Sequence, residues 1–191
     1  MVIRTEKDII QVVERDKWMM DILLAAKSLD LPDWWVCAGF VRSKIWDTLH
    51  GFSERTPMPD VDVIYFDKAA LDESREKMLE ERLKGILPGI PWSVKNEARM
   101  HLVNHLPPYL SSEDALSKFP ETATALGLKL DDENRVILCA PCGLADVLNL
   151  EVRPTAHFLQ NPELAPIYEN RMKQKNWKGI WPRITVYPIK E

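Results

Sequence analysis

The stretch that most constrains the fold is residues 59–67, PDVDVIYFD. Val61 and Val63–Phe66 make a short apolar run rich in β-branched and aromatic residues, which predicts a buried strand over 61–66. Asp60 and Asp62 stand at its entrance. A strand sends residues i and i+2 to the same face, so two carboxylates meet at the mouth of an apolar strand. Four arrangements make this tolerable. The pair is exposed to solvent, one acid is protonated, basic side chains neutralise both, or a divalent cation binds between them. Hard oxygen ligands at this spacing suit Mg²⁺, which keeps some of its waters and shares phosphates with a substrate.

Patterns on either side predict a mixed α/β domain. Thr5-Glu-Lys-Asp starts a helical region of one or two helices reaching about Asp30. Residues 33–40, DWWVCAGF, read as a short buried strand ending at Gly39, and 41–49 as a helix. A loop follows over 50–59. Residues 71–87 form a charged helix ended by Pro88-Gly89, and 91–100, PWSVKNEARM, a third strand. The order α–β–α–β–α–β places the core at about 20–105. Residues 106–191 then form a less regular α/β extension of the same domain. It includes a hairpin around Asp131-Asp-Glu-Asn, a helix over 161–175 and an edge strand near 181–188.

Composition bounds the function. A chain that is 46% hydrophobic and 28% charged can build a core, and no apolar run is long enough to span a membrane. The amino-terminal residues show no secretory pattern and there are three cysteines, so a reduced, cytoplasmic protein is expected. A net charge of −4 argues against long nucleic acid as a partner.

A second feature complements the carboxylate pair. Ala38-Gly39-Phe40-Val41-Arg42 runs from a strand straight into a helix. Free N–H groups at a helix start attract phosphate, and glycine allows close approach. A phosphate cradle and a metal-binding pair on the next strand are two halves of a metal–nucleotide site.

With these residues the sequence resembles the DNA-polymerase-β-like nucleotidyltransferase superfamily. Gly-Phe-Val-Arg at 39–42 is similar to the Gly-x-Val-Arg of CCA-adding enzymes and poly(A) polymerases. Nearly the whole chain resembles a small bacterial nucleotidyltransferase-like family, through AGFVRSKIWD, PDVDVIYFD, WSVKNEARMH, FPETATALGLKL, APCGLADVLNLEVRP and NRMKQKNW. The resemblance implies a nucleotidyltransferase fold with Asp60 and Asp62 as ligands of Mg²⁺ or Mn²⁺. It implies Gly39, Phe40, Arg42 and Ser43 around the phosphates of an NTP, and transfer of a nucleoside monophosphate to an unknown acceptor, small molecule or protein. An inactive nucleotide- or partner-binding module of the same fold is the alternative. The superfamily often uses a third acid on a later strand. Glu97 is the candidate, with Lys95 beside it as a phosphate contact. Departures are bulky Phe40 where small residues are usual, Ser43 in place of an aspartate, and a longer loop before Asp60.

Other groups are weighed alongside. Cys139-x-x-Cys142 reads as buried or turn cysteines, a redox pair, or half of a zinc site with His101 and His105. Trp177 and Trp181 lie in a basic stretch that either packs on the core or grips a base and phosphates. Asp146 near Arg153 suggests a structural ion pair.

Overall fold

A computed structural model describes residues 3–189. Two helices, α1 (Glu6–Glu14) and α2 (Lys17–Lys27), lead into β1 (Trp35–Cys37), α3 (Gly39–His50), β2 (Val61–Tyr65), α4 (Glu73–Ile86), β3 (Trp92–Asn96) and α5 (Glu97–Val103). There follow α6 (Ser112–Ser117), β4 (Gly127–Leu130), β5 (Val136–Cys139), α7 (Ala145–Leu148), β6 (Glu151–Val152), α8 (Ala156–Gln160), α9 (Ala165–Gln174), α10 (Trp177–Ile180) and β7 (Thr185–Val186). The mixed α/β class and the predicted order of the first elements hold, with the helical start split in two where Asp16 caps α2. The hairpin is β4–β5, and the tail strand β7 pairs in parallel with β6 in a separate small sheet.

The main sheet has the order β3-β2-β1-β4-β5. Only β2 and β3 run parallel; β1 is antiparallel to both its neighbours. Paired residues share a face, so the register puts Ser93, Asp62, Cys37, Gly127 and Cys139 in one row across the sheet. Val36, Val63, Val94 and Leu128 point the other way into the principal core, with Ile22, Leu23, Ile45 and Trp46 of the covering helices. This segregation explains the acid in an apolar strand. One face of β2 is core, and Asp62 belongs to the other.

The free edge of β3 is closed by side chains. Glu80 and Glu76 of α4 accept from the backbone N–H groups of Val94 at 3.0 Å and Asn96 at 3.1 Å. The helix that reads as charged and amphipathic therefore buries two glutamates. Asn96 ends the strand. Its side chain accepts from the N–H of Ala98 and Asp67 and donates to the carbonyls of Asp67 and Ala70. An asparagine cap with an acid in the first turn starts a helix. The predicted strand over 91–100 is accordingly corrected: it stops at Asn96, and Glu97 opens α5.

The loop between α3 and β2 is tied down from two sides. Asp47, buried on α3, accepts from the N–H and hydroxyl of Thr56 (2.9 and 2.7 Å) and from the indole N–H of Trp181 (2.8 Å). Arg55 bonds both oxygens of Asp16 and lies 3.9 Å from the centre of the Trp18 ring. Asp47→Ala strands three buried donors and is expected to cost about 3 kcal/mol. A thermal melt should show a midpoint drop of roughly 6–12 °C.

Candidate active site

The site is built at the carboxyl end of β1. Ala38 takes φ 55° and ψ −115°, its N–H bonds Leu126 at 3.0 Å, and its carbonyl accepts the first bonds of α3. A non-glycine residue there stores about 1–3 kcal/mol of strain, a feature that gathers at functional sites. The tight turn thus falls on Ala38, and Gly39, where the sequence predicts the strand's end, already opens α3. A Cβ added to Gly39 would meet only Arg42 Nη2, at 3.7 Å. The chain's own packing does not require glycine at this position. Its missing side chain instead leaves one wall of a cavity open. Among the described residues, no acceptor is found for the N–H of Gly39 or Phe40.

This cavity, of about 300 Å³, brings Gly39, Arg42 and Ser43 of α3 against Asp60 and Asp62. Its far side is Arg171, Lys175, Trp177 and Trp181 from the end of the chain. Asp60 is exposed just before β2, whereas Asp62 is half-buried on the strand. Burial, and then the neighbouring Asp60, push the Asp62 carboxyl up to about 6; Ser93 and Arg171 oppose the shift. The repulsion expected from the sequence is therefore present and only partly relieved by the chain itself.

Arg42 is boxed by three indoles. Its guanidinium carbon lies 4.5 Å from the ring centre of Trp177, 5.2 Å from Trp181 and 5.3 Å from Trp46. Nη2 donates to Ser43 Oγ at 3.1 Å, while Nε is buried without a partner. Burial lowers its pKa to about 10, so it stays a cation at neutral pH. Trp177 and Trp181 pack on the core, as one of the two expectations has it, and they also line the cavity. The basic-aromatic run near the carboxyl terminus was the only sequence signal for this wall. Nothing local linked it to Arg42.

Three expected site residues lie elsewhere. Phe40 is 1% exposed and packs against Trp18, so its side chain does not narrow the phosphate approach; only its backbone N–H is at the helix start. Lys95 lines a second cavity beyond Asp62, outside the cavity that holds Gly39 and Arg42, and stands 3.6 Å from buried Glu76. Glu97 lines that second cavity too, 5% exposed. Burial first, then Glu76 and Asp62, push its carboxyl up to about 8. Among the described residues no three of His, Cys, Asp and Glu assemble as a metal-ligand group, so Glu97 does not complete one with the aspartates. Cys139 and Cys142 are free thiols, and His101 and His105 do not join them in such a group. Burial and the nearby Asp62 hold the Cys37 thiol well above its ordinary range, which suits a packing role. Arg153 lies 3.7 Å from Asp146, the expected ion pair.

The sheet order, the helix start after β1 and the acid-bearing β2 define a nucleotidyltransferase head-domain fold, and comparison with known proteins agrees. A family model described as nucleotidyltransferase matches residues 24–186, and the chain belongs to that family. An NMR structure reported to reveal a CCA-adding enzyme head domain is 37% identical, with a TM-score of 0.85 and 97% of each chain covered. A CCA-adding enzyme solved with ATP is 17% identical at a TM-score of 0.54, covering 92% of this chain and 43% of that one. A Thermotoga maritima CCA-adding enzyme solved with tRNA is 17% identical at 0.51, covering 98% and 43%. These two likenesses concern the fold, and the chain spans under half the length of those enzymes. No curated protein matches the chain. Among the described residues, no helix is long and apolar enough to cross a membrane.

Proposed function

We propose that the chain transfers a nucleoside monophosphate from an NTP to an acceptor. The observation that carries this reading is the 300 Å³ cavity joining an open helix start, Arg42, Arg171 and Lys175 to the Asp60–Asp62 pair. Cations and free N–H groups on one side fit a triphosphate. The two carboxylates on the other fit a hard divalent ion, Mg²⁺ or Mn²⁺. Asp60 and Asp62 would hold the ion, whose chemistry is to neutralise charge on the phosphates.

The chain's own residues orient the substrate. Gly39 and Phe40 offer their N–H groups, and Gly39 leaves room for the phosphate to approach. Arg42 is held rigid by its three indoles and brings a fixed positive charge to the cavity. Lys175 adds charge from the far wall, beside Arg171, which is paired with Glu121. The acceptor oxygen bonds to the α-phosphorus, the bond to the bridging oxygen breaks, and pyrophosphate leaves with the electron pair. The acceptor's proton passes to water.

Trp177 and Trp181 make the site its own reporter. Titration of the protein with ATP, GTP, CTP and UTP should change tryptophan fluorescence saturably in the presence of Mg²⁺. A response equally strong without the ion would overturn the metal-dependent reading. Saturable binding with no pyrophosphate released, across cell-extract fractions supplied as acceptors, assigns the chain to the inactive binding module instead. Arg42→Lys keeps the charge but loses the planar stack, and is expected to weaken nucleotide binding about tenfold. Unchanged affinity in the same titration would remove Arg42 from the site.

A further inference from the structure

The second cavity, of about 480 Å³, opens on the far side of Asp62 and shares Ala38, Asp62, Thr124 and Arg171 with the first. Its volume is that of a small-molecule site. The floor is the sheet face that carries Ile64, and the walls are Met100, Tyr109, Phe119, Phe158 and Ile167. The cations that reach it from the walls are already engaged. Lys95 lies 3.6 Å from Glu76, Lys118 pairs with Asp114, and Arg171 pairs with Glu121. His105 lies at the exposed rim.

Glu97 is different. It is 95% buried in the sense that only 5% of it is exposed, and it faces the cavity. Among the described residues it has no ion pair and its side chain makes no hydrogen bond; its oxygens open to the cavity and are not sealed in without a partner. An acid that faces a void in this way can take a hydrogen-bond donor. Walls of this kind do not suit the end of a nucleic acid, whose phosphates would need free cations.

Resting on the nucleotidyl-transfer reading above, we propose that this second cavity is the acceptor pocket. Its ligand is a small, largely apolar alcohol that sets its hydroxyl beside Asp62 and offers a second donor, amine or hydroxyl, to Glu97. The shared wall at Asp62 and Arg171 puts that hydroxyl next to the phosphates in the first cavity. In the transfer, the alcohol oxygen bonds to the α-phosphorus and pyrophosphate leaves with the broken bond's electrons. The hydroxyl proton goes to water at the cavity mouth.

Methyl NMR on the full chain without nucleotide tests this. The probes are phenylglycinol (an amino alcohol), phenylethanediol (a diol) and ethylbenzene, read at the methyl groups of Met100 and Ile167. At least one of the first two should shift both signals saturably, about tenfold more tightly than ethylbenzene; which one does so tells amine from hydroxyl. Glu97→Leu, which removes the acceptor, should weaken that binding about tenfold, and Ile167→Trp, a substitution at a half-exposed wall position, should abolish it. Calorimetry with Mg–ATP should be unchanged in Ile167→Trp. Equal affinity for ethylbenzene, indifference to Glu97→Leu, or displacement of the probe by a short RNA overturns the proposal. The two readings fail separately. Absent probe shifts with ATP binding intact overturn the acceptor pocket, whereas absent ATP binding with probe shifts intact overturns the nucleotide site and the acceptor role that rests on it.

Discussion

Replacing both aspartates, Asp60→Asn with Asp62→Asn, is expected to remove metal-dependent nucleotide binding and to lower any transfer rate by roughly 10³-fold. The variant keeps the size of both side chains and takes away only the charge that holds the ion. It should also fold well, because it removes the repulsion that pushes Asp62 up to about 6. The same group sets a pH dependence in the native protein. Metal binding requires the ionised pair, so protons compete with it. Affinity for Mg–ATP should be level above pH 7 and fall about tenfold per unit below pH 6. Calorimetry between pH 5 and pH 8 would show it. A flat profile, or a double variant that binds Mg–ATP as well as the native chain, means that the carboxylate pair is not the metal site.

Glu97→Gln should stabilise the protein, and most strongly in alkali. The Glu97 carboxyl is raised from an ordinary 4.5 to about 8 by burial, Glu76 and Asp62. A raised acid binds its proton more tightly in the folded state. Its contribution is therefore fully present below pH 4.5 and is lost as pH rises toward 8. Glutamine has no such loss. The gain of the variant over the native chain should be near zero at pH 4, grow through the window, and level off above pH 8. Its size is on the order of 3 kcal/mol, or roughly 8 °C in melting midpoint for a chain of this length. Melts of both proteins at pH 4.5 and pH 8.5 decide the matter. Equal midpoints at the higher pH would mean that Glu97 finds a partner in solution. A stabilising change at a cavity-facing acid is the usual mark of a residue kept for function against stability.

How far the site could be read in advance differs between its halves. Asp60, Asp62, Gly39 and Arg42 were legible because each is marked by a local pattern: acids at a strand entrance, a glycine between strand and helix, an arginine in the first turn. The sequence marks Glu97 as an acid of interest but predicts a strand around it. The missed signal was Asn96, whose side chain caps α5 and ends β3. Lys95 shows only its charge in the sequence, and the fold supplies Glu76 as its partner. Phe40 sits beside the glycine in sequence, but as the second residue of α3 it turns into the core against Trp18.

The local elements and the chemistry at the mouth of β2 follow from short stretches of residues, since turn residues, caps and apolar runs act over a few positions. What surrounds them depends on the fold. Trp181 donates to Asp47 across 134 residues, and with Trp177 it encloses Arg42. Arg171 and Lys175 reach the aspartates from the same distant segment. The register of β1, β2 and β3 puts Asp62 on the face away from the main core and opens two cavities that meet at it. Such contacts come from packing between elements far apart in the chain, and packing leaves no periodic trace in the residues that make it.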